Sequence, residues 1–132
     1  METNFNFKSQ ICTSREQSER LSALGLKKET ADMVYFQHWQ NAAQKKHDVD
    51  VLSKDNTPAW SLHRLIEMMP QTIGYLELAV NDAFVGYYED RCESEMGMYW
   101  EHTEESSNLY DNIISTIEWL IKEGYFNKEY LV

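Results

Sequence analysis

Residues 75–88 read YLELAVNDAFVGYY, and this stretch decides the fold. Two runs rich in aliphatic and aromatic residues flank Asn81 and Asp82, which are residue types that favour tight turns. We therefore predict an antiparallel hairpin with Asn81 and Asp82 in a two-residue turn. The predicted cross-strand pairs are Val80 with Ala83, Leu78 with Val85, and Leu76 with Tyr87.

The two faces of this hairpin differ, because side chains alternate between the faces of a strand. The face with the Leu and Val side chains needs apolar cover, since an isolated hairpin is only marginally stable. The second face carries Tyr75, Phe84 and Tyr88, and we expect Tyr99 to join them from a neighbouring strand. Either the first helix or the strand region near residues 34–36 covers this second face, or it is an interface for a second copy or a partner.

Two helices are predicted before the hairpin. The first spans residues 14–24, where TSRE at residues 13–16 matches a capping box and Gly25 ends the helix. The second lies between the two prolines of PAWSLHRLIEMMP, residues 58–70. Ser61 is its expected N-cap, and Thr57 followed by proline at the first helical position is the alternative.

A third helix is predicted over residues 108–123. Asn108 is its N-cap, isoleucine and leucine side chains recur at the helical period, and Gly124 ends it. We expect this helix to lie across the Leu78 face of the hairpin, with the second helix beside it. Residues 125–132 are aromatic enough to pack back on the body of the protein.

The remaining segments add strands. Residues 33–36 and 47–54 are predicted strands, residues 40–46 a helical turn or two, and residues 95–101 a third antiparallel strand after the hairpin. Strands and helices are segregated along the chain, which favours an α+β fold over a parallel one. We predict a single domain over residues 1–132, an antiparallel sheet of three to five strands with helices packed on one face.

Charge is distributed unevenly along the chain, whose net charge is −10. Residues 1–64 hold nine Lys and Arg against eight Asp and Glu, whereas residues 65–132 hold three against fourteen. An acidic surface repels phosphates, so we expect no direct binding of nucleic acid and no association with a membrane. The acidity favours solubility, a basic partner, or mimicry of the charge of a nucleic acid.

No motif in the sequence predicts a catalytic, cofactor or metal site. The histidines lack the close spacing of zinc ligands, and the glycines form no phosphate-binding pattern. The carboxylates between residues 89 and 105 are interpreted as a solvated acidic rim, with a metal site as the alternative. Cys92 and His102 could approach each other, with Asp90 completing a Cys-His-Asp set, although nothing in their spacing demands it.

Three blocks of the sequence carry a resemblance to a known family. They are ICTSREQSERLSALGLKKETADMVYF at residues 11–36, TPAWSLHRLIEMMP at residues 57–70 and WLIKEGYFNKEYL at residues 119–131. Together they resemble a family of small uncharacterised proteins of gut anaerobic bacteria, often found in prophage or other mobile elements. The blocks consist of helix caps and core stripes, so the resemblance implies a fold and no reaction.

The functional prediction is a cytoplasmic, acidic protein-interaction module that meets a protein partner or a second copy of itself. Its candidate interface is Tyr75, Phe84, Tyr88 and Tyr99. The cytoplasm is expected because the N-terminus does not resemble a signal peptide, no run is long enough to span a membrane, and the two cysteines fit reduced thiols. The alternatives are a small enzyme built around Cys92 and His102, and an acidic nucleic-acid mimic.

Overall fold

A computed structural model describes residues 9–36, 43–45, 55–91 and 97–132. Within these ranges there are three α-helices: α1 (Arg15–Ala23), α2 (Leu62–Met68) and α3 (Leu109–Glu123). A small antiparallel sheet contains β1 (Met33–Tyr35), β2 (Ala43–Lys45) and β3 (Thr57–Ala59), in the order β2-β1-β3. A larger antiparallel sheet contains β4 (Thr72–Ile73), β5 (Leu76–Val80), β6 (Phe84–Arg91) and β7 (Gly97–Glu105), in the order β4-β5-β6-β7. The α+β class is therefore confirmed.

The hairpin forms between β5 and β6, but its register is shifted by two residues from the predicted one. Val80 lies opposite Val85, and Leu78 lies opposite Tyr87. Asn81 causes the shift, because its Oδ1 accepts the backbone N–H groups of Ala83 and Phe84. The turn therefore moves by one residue, from residues 81–82 to residues 82–83, and each cross-strand pair changes by two. A shift of two residues keeps every side chain on its predicted face.

The core lies between one face of the larger sheet and α3. Val85 and Tyr87 of β6 are fully buried, as are Ile113 and Ile117 of α3. Leu78 packs against the same cluster, and α2 contacts α3 at its side. The predicted packing of the isoleucine-rich helix on the Leu78 face is confirmed.

The first helix begins one residue later than the predicted capping box. Ser14 is the N-cap of α1, and its hydroxyl accepts the N–H of Gln17 while the Gln17 Oε1 accepts the N–H of Ser14. Thr13 is instead fully buried and bonded to the Ser18 hydroxyl at 2.8 Å. The Gln17 Nε2 also donates to the Asp111 carboxylate at 2.7 Å, at the start of α3. One side chain therefore joins the N-termini of two helices.

Helices α2 and α3 have the predicted caps. Ser61 caps α2 by accepting the N–H of Arg64, and Asn108 caps α3 by accepting the N–H of Asp111. Gly124 ends α3 in the left-handed conformation, at φ 80°. The alternative start of α2 at Thr57 is wrong, because residues 57–59 pair with β1 as a strand.

Two segments differ from the predicted strands. Ala43–Lys45 is a strand and not part of a helical turn, because it pairs with β1. Strand β7 continues to Glu105, four residues beyond its predicted end, because residues 102–105 pair with residues 84–87 of β6. The predicted strand over residues 47–54 lies outside the described residues.

Candidate functional site

The face of the larger sheet opposite α3 carries a cluster of aromatic side chains. Trp100 of β7 lies between Phe84 and Tyr88 of β6, with ring centroids 5.0 Å apart in each pair. Met98, two residues before Trp100, is 50% exposed. We call Phe84, Tyr88, Met98 and Trp100 the aromatic face. Phe84 and Tyr88 each contact Trp100, and all three rings are half-buried, so they still present surface.

Gly86 allows the Trp100 ring to lie against the sheet. A Cβ at this position would lie 3.2 Å from Cε3 of Trp100 and 2.5 Å from the backbone oxygen of His102. Both distances are shorter than normal carbon contacts, so only glycine leaves room for the ring and for the neighbouring strand. Gly86 thus shapes the aromatic face.

Carboxylates surround the aromatic face. The strand register places Glu77, Asp90 and Glu105 on the same side of the sheet, and all three are exposed. The hydroxyl of Tyr88 donates to the Glu77 carboxylate at 3.1 Å, and this bond raises the pKa of the Tyr88 phenol. The described strand positions on this side hold no lysine or arginine. The surface therefore combines flat rings with negative charge.

The structure brings together only two of the four predicted interface residues. Phe84 and Tyr88 meet through Trp100, whereas Tyr75 lies in the turn between β4 and β5 and is 86% exposed. Tyr99 pairs with Glu89 and lies on the opposite side of the sheet, where the Arg91 guanidinium sits 4.2 Å from its ring centroid. Trp100 takes the place predicted for Tyr99.

A small polar pocket of about 280 Å³ lies on the covered side of the sheet, between α1, α3 and β7. The His102 ring stacks on Trp119 with centroids 4.4 Å apart. Its Nε2 lies 3.2 Å from the Glu104 carboxylate without forming an aligned hydrogen bond. Burial lowers the pKa of His102, and the Glu104 carboxylate opposes that shift.

The charges of this pocket are largely paired. Arg20 of α1 bonds to the Ser115 hydroxyl and to the Glu118 carboxylate of α3, both at 3.1 Å. These bonds place α1 on the α3 side of the sheet, away from the aromatic face. The serine hydroxyl is therefore held by a guanidinium, an arrangement that does not activate a nucleophile.

The described cysteine, Cys12, is buried in a different region. Its Sγ lies 3.6 Å from the Tyr35 hydroxyl, and that hydroxyl donates to the backbone oxygen of Thr13. Burial raises the pKa of the Cys12 thiol, so the reactive thiolate is disfavoured. Burial also raises the pKa of Tyr35, to about 12.

The enzyme and metal alternatives depend in part on residues that are not described. Cys92 lies outside the described ranges, so the hypothesis of a site built from Cys92 and His102 stays a prediction. His63 is exposed on α2, and His38 and His47 also lie outside those ranges. Among the residues with described positions, no group of three or more His, Cys, Asp or Glu is arranged to hold a metal ion. The acidic nucleic-acid mimic stays a prediction.

Every helix in the described part of the chain is too short or too polar to cross a lipid bilayer. Comparisons with protein-family models, curated proteins and solved structures found no match to this chain, so the resemblance noted in the sequence stays a prediction.

Proposed function

We propose that the protein is an interaction module that binds a basic segment of a partner protein on the aromatic face. The observation that supports this proposal is the position of Trp100, held between Phe84 and Tyr88 on a side of the sheet whose described strand positions include three carboxylates. Tryptophan and tyrosine are the residues that most often dominate the binding energy of protein interfaces.

The chemistry of this surface favours arginine and lysine side chains. A guanidinium stacks on the face of a tryptophan or tyrosine ring, and a nearby carboxylate completes the contact with a charge-assisted hydrogen bond. Glu77, Asp90 and Glu105 supply such carboxylates around the rings. The net charge of −10 adds a long-range attraction that raises the rate of association with a basic partner.

The same charge favours a different protein over a second copy of this chain. Self-association through the aromatic face would bring two sets of carboxylates together on molecules that each carry −10. Like charges placed close together cost free energy, and this cost must be offset before two copies can associate. The partner in this proposal is therefore a basic protein.

The predicted cytoplasmic location belongs to the same proposal. Cys12 is a free thiol in the described part of the chain. Free, buried thiols fit a reducing compartment, where disulfides are rare.

The experiment measures binding of a short synthetic peptide that alternates arginine and threonine, by calorimetry and by tryptophan fluorescence. We expect binding that weakens with salt, and we expect the Trp100→Ala variant to bind at least about tenfold more weakly. The matched control is Tyr125→Ala, which removes another exposed aromatic ring, 46% exposed, at the end of α3. This control should bind like the unaltered protein.

Two results would contradict the proposal. One is equal binding by the Trp100→Ala and unaltered proteins, which would place the contact elsewhere. The other is equal binding of a peptide that alternates glutamate and threonine, which would remove the role of charge. Circular dichroism of each variant confirms that the fold is retained.

A further inference from the structure

Strand β7 forms a long edge of the larger sheet. It contains nine residues, whereas β4 at the opposite edge contains two. In the described part of the chain, β7 pairs with β6 and with no other strand. An edge strand presents backbone N–H and C=O groups that can pair with another chain.

The hydrogen bonds of β5 identify which residues of β7 point outward. The N–H of Asn81, the residue after β5, donates to the backbone oxygen of Phe84 and so points toward β6. The N–H of Leu78 donates to the backbone oxygen of Gln71 and so points toward β4. Backbone directions alternate along each strand, and this alternation carries through β6 to β7, where the bulge between Trp100 and His102 shifts it by one residue. The residues of β7 whose backbone groups point away from β6 are Met98, Trp100, Thr103 and Glu105.

These outward-pointing residues also direct their side chains to the aromatic face. Thr103 pairs with Gly86, and Glu105 pairs with Phe84, on the side of the sheet that carries Trp100. A strand added beside β7 would therefore place alternate side chains next to Met98, Trp100 and the carboxylates. The edge and the aromatic face form one continuous surface.

We infer that the basic partner docks as an extended segment that adds a fifth strand to the sheet along β7. This inference rests on the proposed function for the basic character of the partner. Main-chain hydrogen bonds to β7 supply part of the affinity, and alternate side chains of the segment meet the aromatic face. The segment is basic because β7 contains Glu101, Glu104 and Glu105 and no lysine or arginine.

Charge disfavours the other obvious occupant, a second copy of β7. Full antiparallel overlap of two Gly97–Glu105 strands would place Glu101 directly opposite its own copy. Like charges directly opposite each other destabilise a strand pair, and opposite charges stabilise it. The glutamates thus discourage edge-to-edge pairing between copies and favour a basic strand.

The first test uses the unaltered protein with the arginine-threonine peptide and with the same peptide N-methylated at alternate backbone nitrogens. N-methylation keeps the charge and removes the donors that pair with β7. We expect the N-methylated peptide to bind at least about tenfold more weakly. We also expect the unmodified peptide to slow amide hydrogen exchange at Thr103 by about tenfold or more.

A second test alters β7. Thr103→Pro removes an N–H that points away from β6, so it breaks no hydrogen bond between the two strands. Proline is tolerated at such positions of an edge strand. Thr103→Val keeps the N–H and the branched shape, so it is the matched control. We expect the proline variant to bind the peptide at least about tenfold more weakly and the valine variant to bind normally.

The outcomes separate the two proposals. Equal binding of both peptides with no protection of β7 overturns strand addition, whereas the proposed function stands if Trp100→Ala still loses binding. If neither Thr103→Pro nor Trp100→Ala weakens binding, both proposals are overturned. A Thr103→Pro protein that fails to fold leaves the peptide experiment as the deciding one, because that experiment uses the unaltered chain.

Discussion

The two faces of the larger sheet are built from alternate residues of the same strands, but one is buried and the other is partly exposed. On one face, Val85 and Tyr87 are fully buried beneath α3. On the other, Phe84 and Tyr88 pack on Trp100, and all three rings remain half-exposed. Both faces are rich in large apolar groups, so hydrophobicity alone does not distinguish the core from the exposed surface. The difference is that a helix with matching isoleucines covers only one of them.

The largest effect is expected from removing core volume beneath α3. Ile117 is fully buried, so Ile117→Ala should lower the free energy of unfolding by about 3 kcal/mol, from lost burial and the cavity left behind. Trp100→Ala on the aromatic face should cost about 1 kcal/mol, chiefly from its contacts with two rings. Urea denaturation measures both, and an equal loss would show that the two faces contribute alike.

A methyl group at Gly86 should disturb the aromatic face and the pairing of β6 with β7. The added Cβ would approach the His102 backbone oxygen and the Trp100 ring, so we expect Gly86→Ala to cost about 2 kcal/mol through overpacking. Its partner in the ladder, Ala79, already carries a Cβ. Ala79→Gly should cost only about 0.5–1 kcal/mol, the usual penalty of glycine in a strand. Thermal unfolding compares the two, and a neutral Gly86→Ala would contradict the close approach of β7.

Neighbouring tyrosines on β6 offer a finer comparison of the faces. The buried Tyr87 hydroxyl donates to the Pro70 backbone oxygen at 2.7 Å, so Tyr87→Phe should cost about 1 kcal/mol. The Tyr88 hydroxyl bonds to the exposed Glu77, where water can replace it. Tyr88→Phe should therefore leave the unfolding free energy nearly unchanged in urea denaturation. The reverse order would contradict the assignment of the faces.

The smallest effect is expected from His102, at the rim of the covered face. Its pKa in the folded protein lies below the ordinary value because of burial, so the unfolded chain binds the proton more readily. Stability should therefore be full above the ordinary histidine pKa and fall as the pH drops through that range. His102→Gln should show a shallower loss than the unaltered protein between neutral and mildly acidic pH. Denaturation at several pH values measures this difference.

Local signals in the sequence were sufficient for the helices and for the faces of the hairpin. Asn108, Gly124 and Ser61 each act within a few residues of their position, so the ends of α2 and α3 could be predicted. Period-two alternation likewise placed Leu78 on the buried face. The register of the hairpin was predicted wrongly because it depends on hydrogen bonds from two backbone N–H groups of the turn to the Asn81 side chain.

Long-range pairing explains the other differences. Residues 43–45 have no local strand signal and become a strand by pairing with β1, a tertiary effect that overrides propensity. Trp100 lies on the aromatic face, where Tyr99 was predicted, because β7 contains a bulge opposite the step from Tyr87 to Tyr88. This bulge changes the side of the sheet to which the residues of β7 point. A bulge of this kind has no signature in a single sequence. Of the four residues predicted to lie together, Phe84 and Tyr88 do so, whereas Tyr75 and Tyr99 lie elsewhere.

The position of Gln17 has a consequence for how the molecule opens. Its side chain accepts the N–H of Ser14 and donates to Asp111, residues that lie far apart in the chain and begin α1 and α3. Fraying of one helix end therefore withdraws a hydrogen-bond partner from the other. The start of α3, the helix that covers the core, is thus secured by a residue of α1.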